Sequence, residues 1–128
     1  LEFRRVLFRS VEFDHLGAFT YSKEEDTAAY NFPLQIEEEE KNRRYDLVMK
    51  AQQKISYHLN KKHIGEVMEG LIIGSSNGNY LLRSYWNAPG DIDGKIFVNS
   101  DKELSLGQKV KVKITDAFVY DLMGDMLD

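Results

Sequence analysis

Arg83, Tyr85 and Trp86 lie within four residues of one another, and Asp91 and Asp93 follow shortly after. Arg, Tyr and Trp are the usual anchors of protein interfaces, because each joins a large contact area to a polar head. Two carboxylates beside them add a place for Lys or Arg of a basic partner. These five residues form a candidate docking site. The competing reading is a packed or paired barrel face, since Arg83 and Tyr85 alternate along an expected strand and would point to one side.

Lys109, Lys111 and Lys113 are a second candidate. They alternate with Val110, Val112 and Ile114 and so share the wet face of a strand. Beside Tyr80 or Tyr120 such a stripe is suited to contact RNA. A solvated or edge-protecting face is the favoured reading, because the surrounding sequence is acidic. No catalytic or metal-binding residues are assigned. The histidines, His15, His58 and His63, lack ligand spacing; His58 and His63 are five apart, not the four that would stack them on a helix. The chain has no cysteine, which excludes disulfides and thiolate-held zinc or iron–sulfur clusters within it. The run Glu37–Glu40 is read as a solvated helix start that complements the dipole, not as a metal site or acidic docking patch.

These residues need elements to hold them. The chain has 128 residues, 42% hydrophobic and 30% charged, enough for one packed domain with additional segments. Its net charge is −4. Residues 1–10, "LEFRRVLFRS", hold three Arg and one Glu, so residues 11–128 carry −6. An acidic body disfavours non-specific phosphate binding. No apolar run reaches the length of a membrane span, and the opening residues lack the pattern of a secretory signal.

Residues 37–62 read as one helix. Tyr45, Val48, Met49, Gln52, Ile55, Ser56 and Leu59 recur at three- and four-residue steps. Cations close its last turn and Gly65 lies beyond it. Ahead of it, Gly17–Tyr21 reads as a short strand, which alone would leave its ladder groups unpaired. Beyond it, residues 64–128 read as five strands: "IGEVMEGLIIG", "YLLRSYW", "KIFVNS", "KVKVKIT" and "AFVYDLMGDML". Asn77–Gly78 marks a tight hairpin between the first two. Five short strands in so few residues suit a small OB-like barrel. The fold class is therefore mainly β with one long helix.

The blocks "FDHLGAFTYSKEEDTAA", "EEEEKNRRYDLVMKAQQKIS", "RSYWNAPGDIDGKIFV" and "GQKVKVKITDAFVYDLMGDML" resemble the end of the methylthiotransferases, a radical S-adenosylmethionine family, over residues 11–128. The "RSYWNAPGDIDG" block is similar to the branch that modifies an aspartate of a small-subunit ribosomal protein, rather than to the tRNA-modifying branch. The resemblance implies that residues 11–33 are the last strand and exit loop of a radical SAM α/β barrel, residues 34–62 a connecting helix, and residues 63–128 a TRAM domain. It implies a cytoplasmic parent transferase with two 4Fe-4S clusters and S-adenosylmethionine, held in N-terminal domains outside this sequence. The fragment itself is expected to hold no cofactor and to be inactive. Its expected partner is a basic ribosomal protein, with RNA less favoured: residues 64–128 set six cations against ten carboxylates. No membrane is expected as a partner. The alternative is a stand-alone TRAM-like RNA-binding module or the tail of a tRNA-modifying relative.

Three details depart from or qualify the resemblance. Asp26 stands where the family has Gly, in a turn that asks for a left-handed residue. The "NAPGDIDG" loop is one residue longer. Gln108 replaces a common acidic residue, and no function is attached to it. Phe19, Tyr21 and Ser22 are placed near a cofactor cavity by the resemblance but receive no role. Residues 1–10 resemble a translated sequencing adapter read in frame, and are expected to be disordered and foreign to the fold.

Overall fold

A computed structural model describes residues 10–88 and 94–127. The expectations for residues 1–9, Asp91 and Asp93 lie outside the described residues. The chain divides into two compact units, Leu1–Gln52 and Gln53–Asp128.

In the first unit a 3-10 turn, Ala28–Asn31, follows a tight bend at Asp26, whose φ is 63°. The bend fits the tolerance of Asp for left-handed backbone. Thr27 Oγ1 donates to the Glu24 carbonyl at 2.8 Å, and Gln35 Nε2 donates to the Ala29 carbonyl at 2.9 Å, so side chains satisfy the irregular backbone. The strand expected at Gly17–Tyr21 does not form. Among the described residues this unit offers no second strand to pair with, so the segment has no ladder. Phe19 is 96% exposed, and the Tyr21 carbonyl accepts from Lys41 Nζ at 3.0 Å instead.

Helix α1 spans Glu38–Lys61 and runs through both units. Its first turn is acidic and its last holds His58 and Lys61, so both ends complement the dipole. Glu40 binds Arg43 at 2.6 Å and Arg44 at 2.7 Å, which lowers its carboxyl from 4.5 to about 2. The buried line of the helix is polar, with Gln52, Ser56 and Asn60 at four-residue steps. Val48, Met49, Ile55 and Leu59 flank this line and are half-buried. Tyr45, expected on the stripe, is exposed.

The second unit contains a closed five-stranded barrel: β1 (Val67–Ser76), β2 (Asn79–Ser84), β3 (Ile96–Asn99), β4 (Lys109–Ala117) and β5 (Leu122–Met126), in the order β1-β2-β3-β5-β4. All pairs are antiparallel except β3 with β5, which is parallel. Asn77 and Gly78 have φ of 52° and 82°, the double positive φ of the expected hairpin turn. Register shifts at Ile72/Gly74 and Ile114/Asp116 add the local bends that closure of so small a sheet requires. Alternation sends Met68, Ile72, Leu82, Ile96, Val98, Val112, Ile114 and Leu122 inward, each almost fully buried. Each such side chain contributes roughly 1.5–3 kcal/mol by leaving water. The last strand is shorter than expected: residues 118–121 form the β4–β5 loop, with Phe118, Val119 and Tyr120 partly exposed.

Candidate functional site

Strand β2 stops at Ser84, so the alternation that would place Tyr85 beside Arg83 ends before Tyr85. Tyr85 and Trp86 sit instead in the turn that opens the β2–β3 loop. Asn87 closes that turn, since its Oδ1 accepts from the Ser84 amide at 2.9 Å, while the Trp86 amide donates to Ser84 Oγ at 3.1 Å. These bonds part the two anchors. Trp86 packs against the barrel core, whereas Tyr85 is 72% exposed.

Tyr85 is held by a residue outside the expected set. Its phenol donates to Glu66 Oε1, and Glu66 Oε2 lies 2.6 Å from His63 Nδ1. The His63 ring meets Trp86 edge-on, with centroids 6.2 Å apart. The segment after α1, the residue before β1 and the β2–β3 turn are thus joined through one carboxylate. The His63 hydrogen bond, and next the Tyr85 hydrogen bond, hold the Glu66 carboxyl below its ordinary 4.5. Glu66 in turn pushes the Tyr85 phenol above its ordinary 10.0. Neither His63 nor Glu66 was singled out as functional from the sequence. The signal available was their three-residue spacing directly after the helix, which lets the two side chains meet across the turn.

The far end of the β2–β3 loop is fixed as well. A Cβ placed on Gly94 would lie 1.5 Å from the Tyr120 carbonyl oxygen and 3.0 Å from the Trp86 ring, so only Gly fits between the loop and the barrel. The Lys95 amide donates to Asp121 Oδ1 at 2.8 Å. Residues 84–87 and 94–95 are thus each held by hydrogen bonds or close packing at the barrel.

Arg83 lies apart from this turn, on the outer face of β2 opposite Leu71 of β1. Lys109, Lys111 and Lys113 occupy the outer face of β4, as alternation predicts. Strand β4 pairs with β1 on one side and β5 on the other, so the lysines protect no sheet edge. Lys109 Nζ binds Glu69 Oε1 at 2.7 Å, and chiefly for that reason the Glu69 carboxyl lies below its ordinary value. Tyr80 is not a stacking platform beside them. Its ring packs on the core and its hydroxyl accepts from the Leu104 amide at 3.2 Å. Gln108 has a structural part: its Oε1 accepts from the Ser105 amide at 2.9 Å, and its carbonyl accepts from the Ile72 amide.

The residues present do not fit an iron–sulfur cluster, because the chain has no cysteine to supply thiolates. Among the described residues no group of three His, Asp or Glu side chains is placed to hold a metal ion. Among them, too, no helix is long and apolar enough to cross a membrane.

The TRAM domain family matches residues 64–127, the stretch that forms the barrel. Across both units the chain is similar to proteins named ribosomal protein uS12 methylthiotransferase RimO. That of Petrotoga mobilis is 38% identical over 122 residues, covering 94% of this chain and 28% of the relative. That of Clostridioides difficile is 48% identical over 118 residues, covering 91% and 26%. That of Caldicellulosiruptor saccharolyticus is 45% identical over 117 residues, again covering 91% and 26%. The chain spans about a quarter of the length of these curated relatives.

Proposed function

Because this chain belongs to the TRAM-domain family, we propose that its barrel is the substrate-docking part of a longer radical S-adenosylmethionine transferase. In this reading the chain corresponds to the C-terminal portion of an enzyme that methylthiolates an aspartate of ribosomal protein uS12. One observation carries it: the identity to the uS12 methylthiotransferases extends over 122 residues in one relative, well beyond the barrel at residues 64–127. A shared TRAM barrel alone would not account for the remainder.

The division of labour follows from chemistry. Reductive cleavage of S-adenosylmethionine and sulfur delivery need cysteine-held clusters, and this chain has no cysteine. Those steps fall to the other three quarters of the parent, and this portion alone is inactive. What it supplies is recognition. With six cations against ten carboxylates in residues 64–128, its field suits a basic protein better than an RNA backbone.

The docking residues are Tyr85 and Trp86, with Asp91 and Asp93 on the adjoining loop. The Glu66 bond fixes the phenol of Tyr85 without burying its ring, so little side-chain freedom is lost on binding. Ribosomal protein uS12 titrated into the chain tests the reading, with Trp86→Ala and Asp93→Ala as variants. Each variant weakens binding about tenfold or more if these side chains are anchors. Unchanged affinity in both removes the assignment.

A further inference from the structure

We infer that the outer face of β1 and β4 is a second docking surface, whose partner is an acidic polypeptide segment that also carries apolar side chains. This surface is separate from the Tyr85–Trp86 turn, and its argument does not depend on uS12 as substrate.

The strand register builds the face. Leu71 of β1 sits opposite Lys109 on one side and Arg83 on the other. Val67 sits opposite Lys113, and Glu69 opposite Lys111. Four of the six cations in residues 64–128 thus gather on one side of an otherwise acidic domain. Between them runs an apolar row that the barrel does not cover: Val67, Leu71 and Ile73 are 48%, 47% and 39% exposed.

Pairing within the sheet accounts for only part of this arrangement. The lysines guard no edge, since β4 is paired on both sides. Three lysines at every second position lie about 7 Å apart and repel one another. Glu69 pairs with Lys109 at 2.7 Å and stands in register with Lys111, and Asp125 stands in register with Lys113, so two carboxylates face four cations and the surface stays net positive. A partner bringing carboxylates would relieve that repulsion, and one bringing apolar side chains would cover Val67, Leu71 and Ile73.

The same features favour a polypeptide over single-stranded RNA. RNA grooves pair cations with aromatic platforms on which bases stack. Here the outward residues of β1 and β4 are aliphatic, charged or hydroxylated, and Tyr80 of β2 is engaged with the core. An acidic segment with interspersed Leu or Ile matches both the charge and the apolar row.

The test is an NMR titration of the isotope-labelled chain with a short synthetic peptide alternating Glu with Leu. A Lys–Leu peptide and oligouridylate serve as the other arms. The expected result is amide shifts confined to Val67–Ile73 and Lys109–Lys113 with the acidic peptide. Affinity should fall about tenfold in Lys111→Glu and in Leu71→Ser, both outward positions that leave the barrel folded. Shifts at these amides from oligouridylate alone would make the face a nucleic-acid surface and overturn the proposal. Shifts elsewhere, or none with any probe, would also overturn it.

Discussion

The side-chain amide of Asn60 donates to the carbonyl of Phe118 at 3.1 Å, and so ties the last turn of α1 to the loop between β4 and β5. The same nitrogen lies 3.2 Å from the Val119 carbonyl. Asn60 itself is only 2% exposed. Asn60→Ala removes these two part-buried hydrogen bonds and should cost about 0.5–1.5 kcal/mol. Urea unfolding checks this, with a lower midpoint at unchanged slope as the expected result.

The Glu66–Tyr85 bond predicts a pH dependence. The folded carboxyl lies below its ordinary 4.5, chiefly because of His63 and then Tyr85. Its stabilisation is therefore complete above 4.5 and is lost as pH falls through the lower folded value. The folded phenol lies above 10.0, so its share is complete below 10.0 and is lost as pH rises through the higher value. Glu66→Gln and Tyr85→Phe should each cost about 0.5–1 kcal/mol at neutral pH, the net scale of a hydrogen bond at an exposed site. Stability measured against pH should show parent and Glu66→Gln converging in acid.

Gly94→Ala is expected to be more damaging than its size suggests. The new methyl would overlap the Tyr120 carbonyl and press on Trp86, so the backbone must move. A cost of about 1–3 kcal/mol is the scale of such overpacking. Trp86 is the sole tryptophan, so its emission should shift in the folded variant while the parent spectrum serves as reference.

The absence of cysteine gives a further outcome. After anaerobic reconstitution with iron and sulfide, the purified chain should show no cluster absorbance. A stoichiometric cluster would contradict the assignment of the radical chemistry to the rest of the parent.

Much of the barrel was legible where the pattern is strictly periodic. "KVKVKIT" alternates without a break, and its Val110, Val112 and Ile114 are all buried. Asn77–Gly78 fixed the hairpin through turn chemistry alone. The parallel pairing of β3 with β5 was not legible, because register partners such as Ile96 and Leu122 are remote in sequence. "AFVY" read as strand by residue type, yet Phe118–Tyr120 became a loop because Leu122 is the residue that pairs with Ala117. Gly17–Tyr21 had strand character but no neighbour to pair with. In the candidate site, Tyr85 and Trp86 stood out by type. Glu66 did not, because an isolated carboxylate gains meaning only once folding brings Tyr85 and His63 to it.

The most direct measurement compares two affinities of the same chain, for ribosomal protein uS12 and for an unstructured RNA, across a salt series. The account predicts clear binding of uS12 that weakens in Trp86→Ala, beside weak RNA binding. Strong RNA binding with a log–log salt slope of about −2, the value for three phosphate contacts to a single strand, together with no uS12 binding, would contradict it.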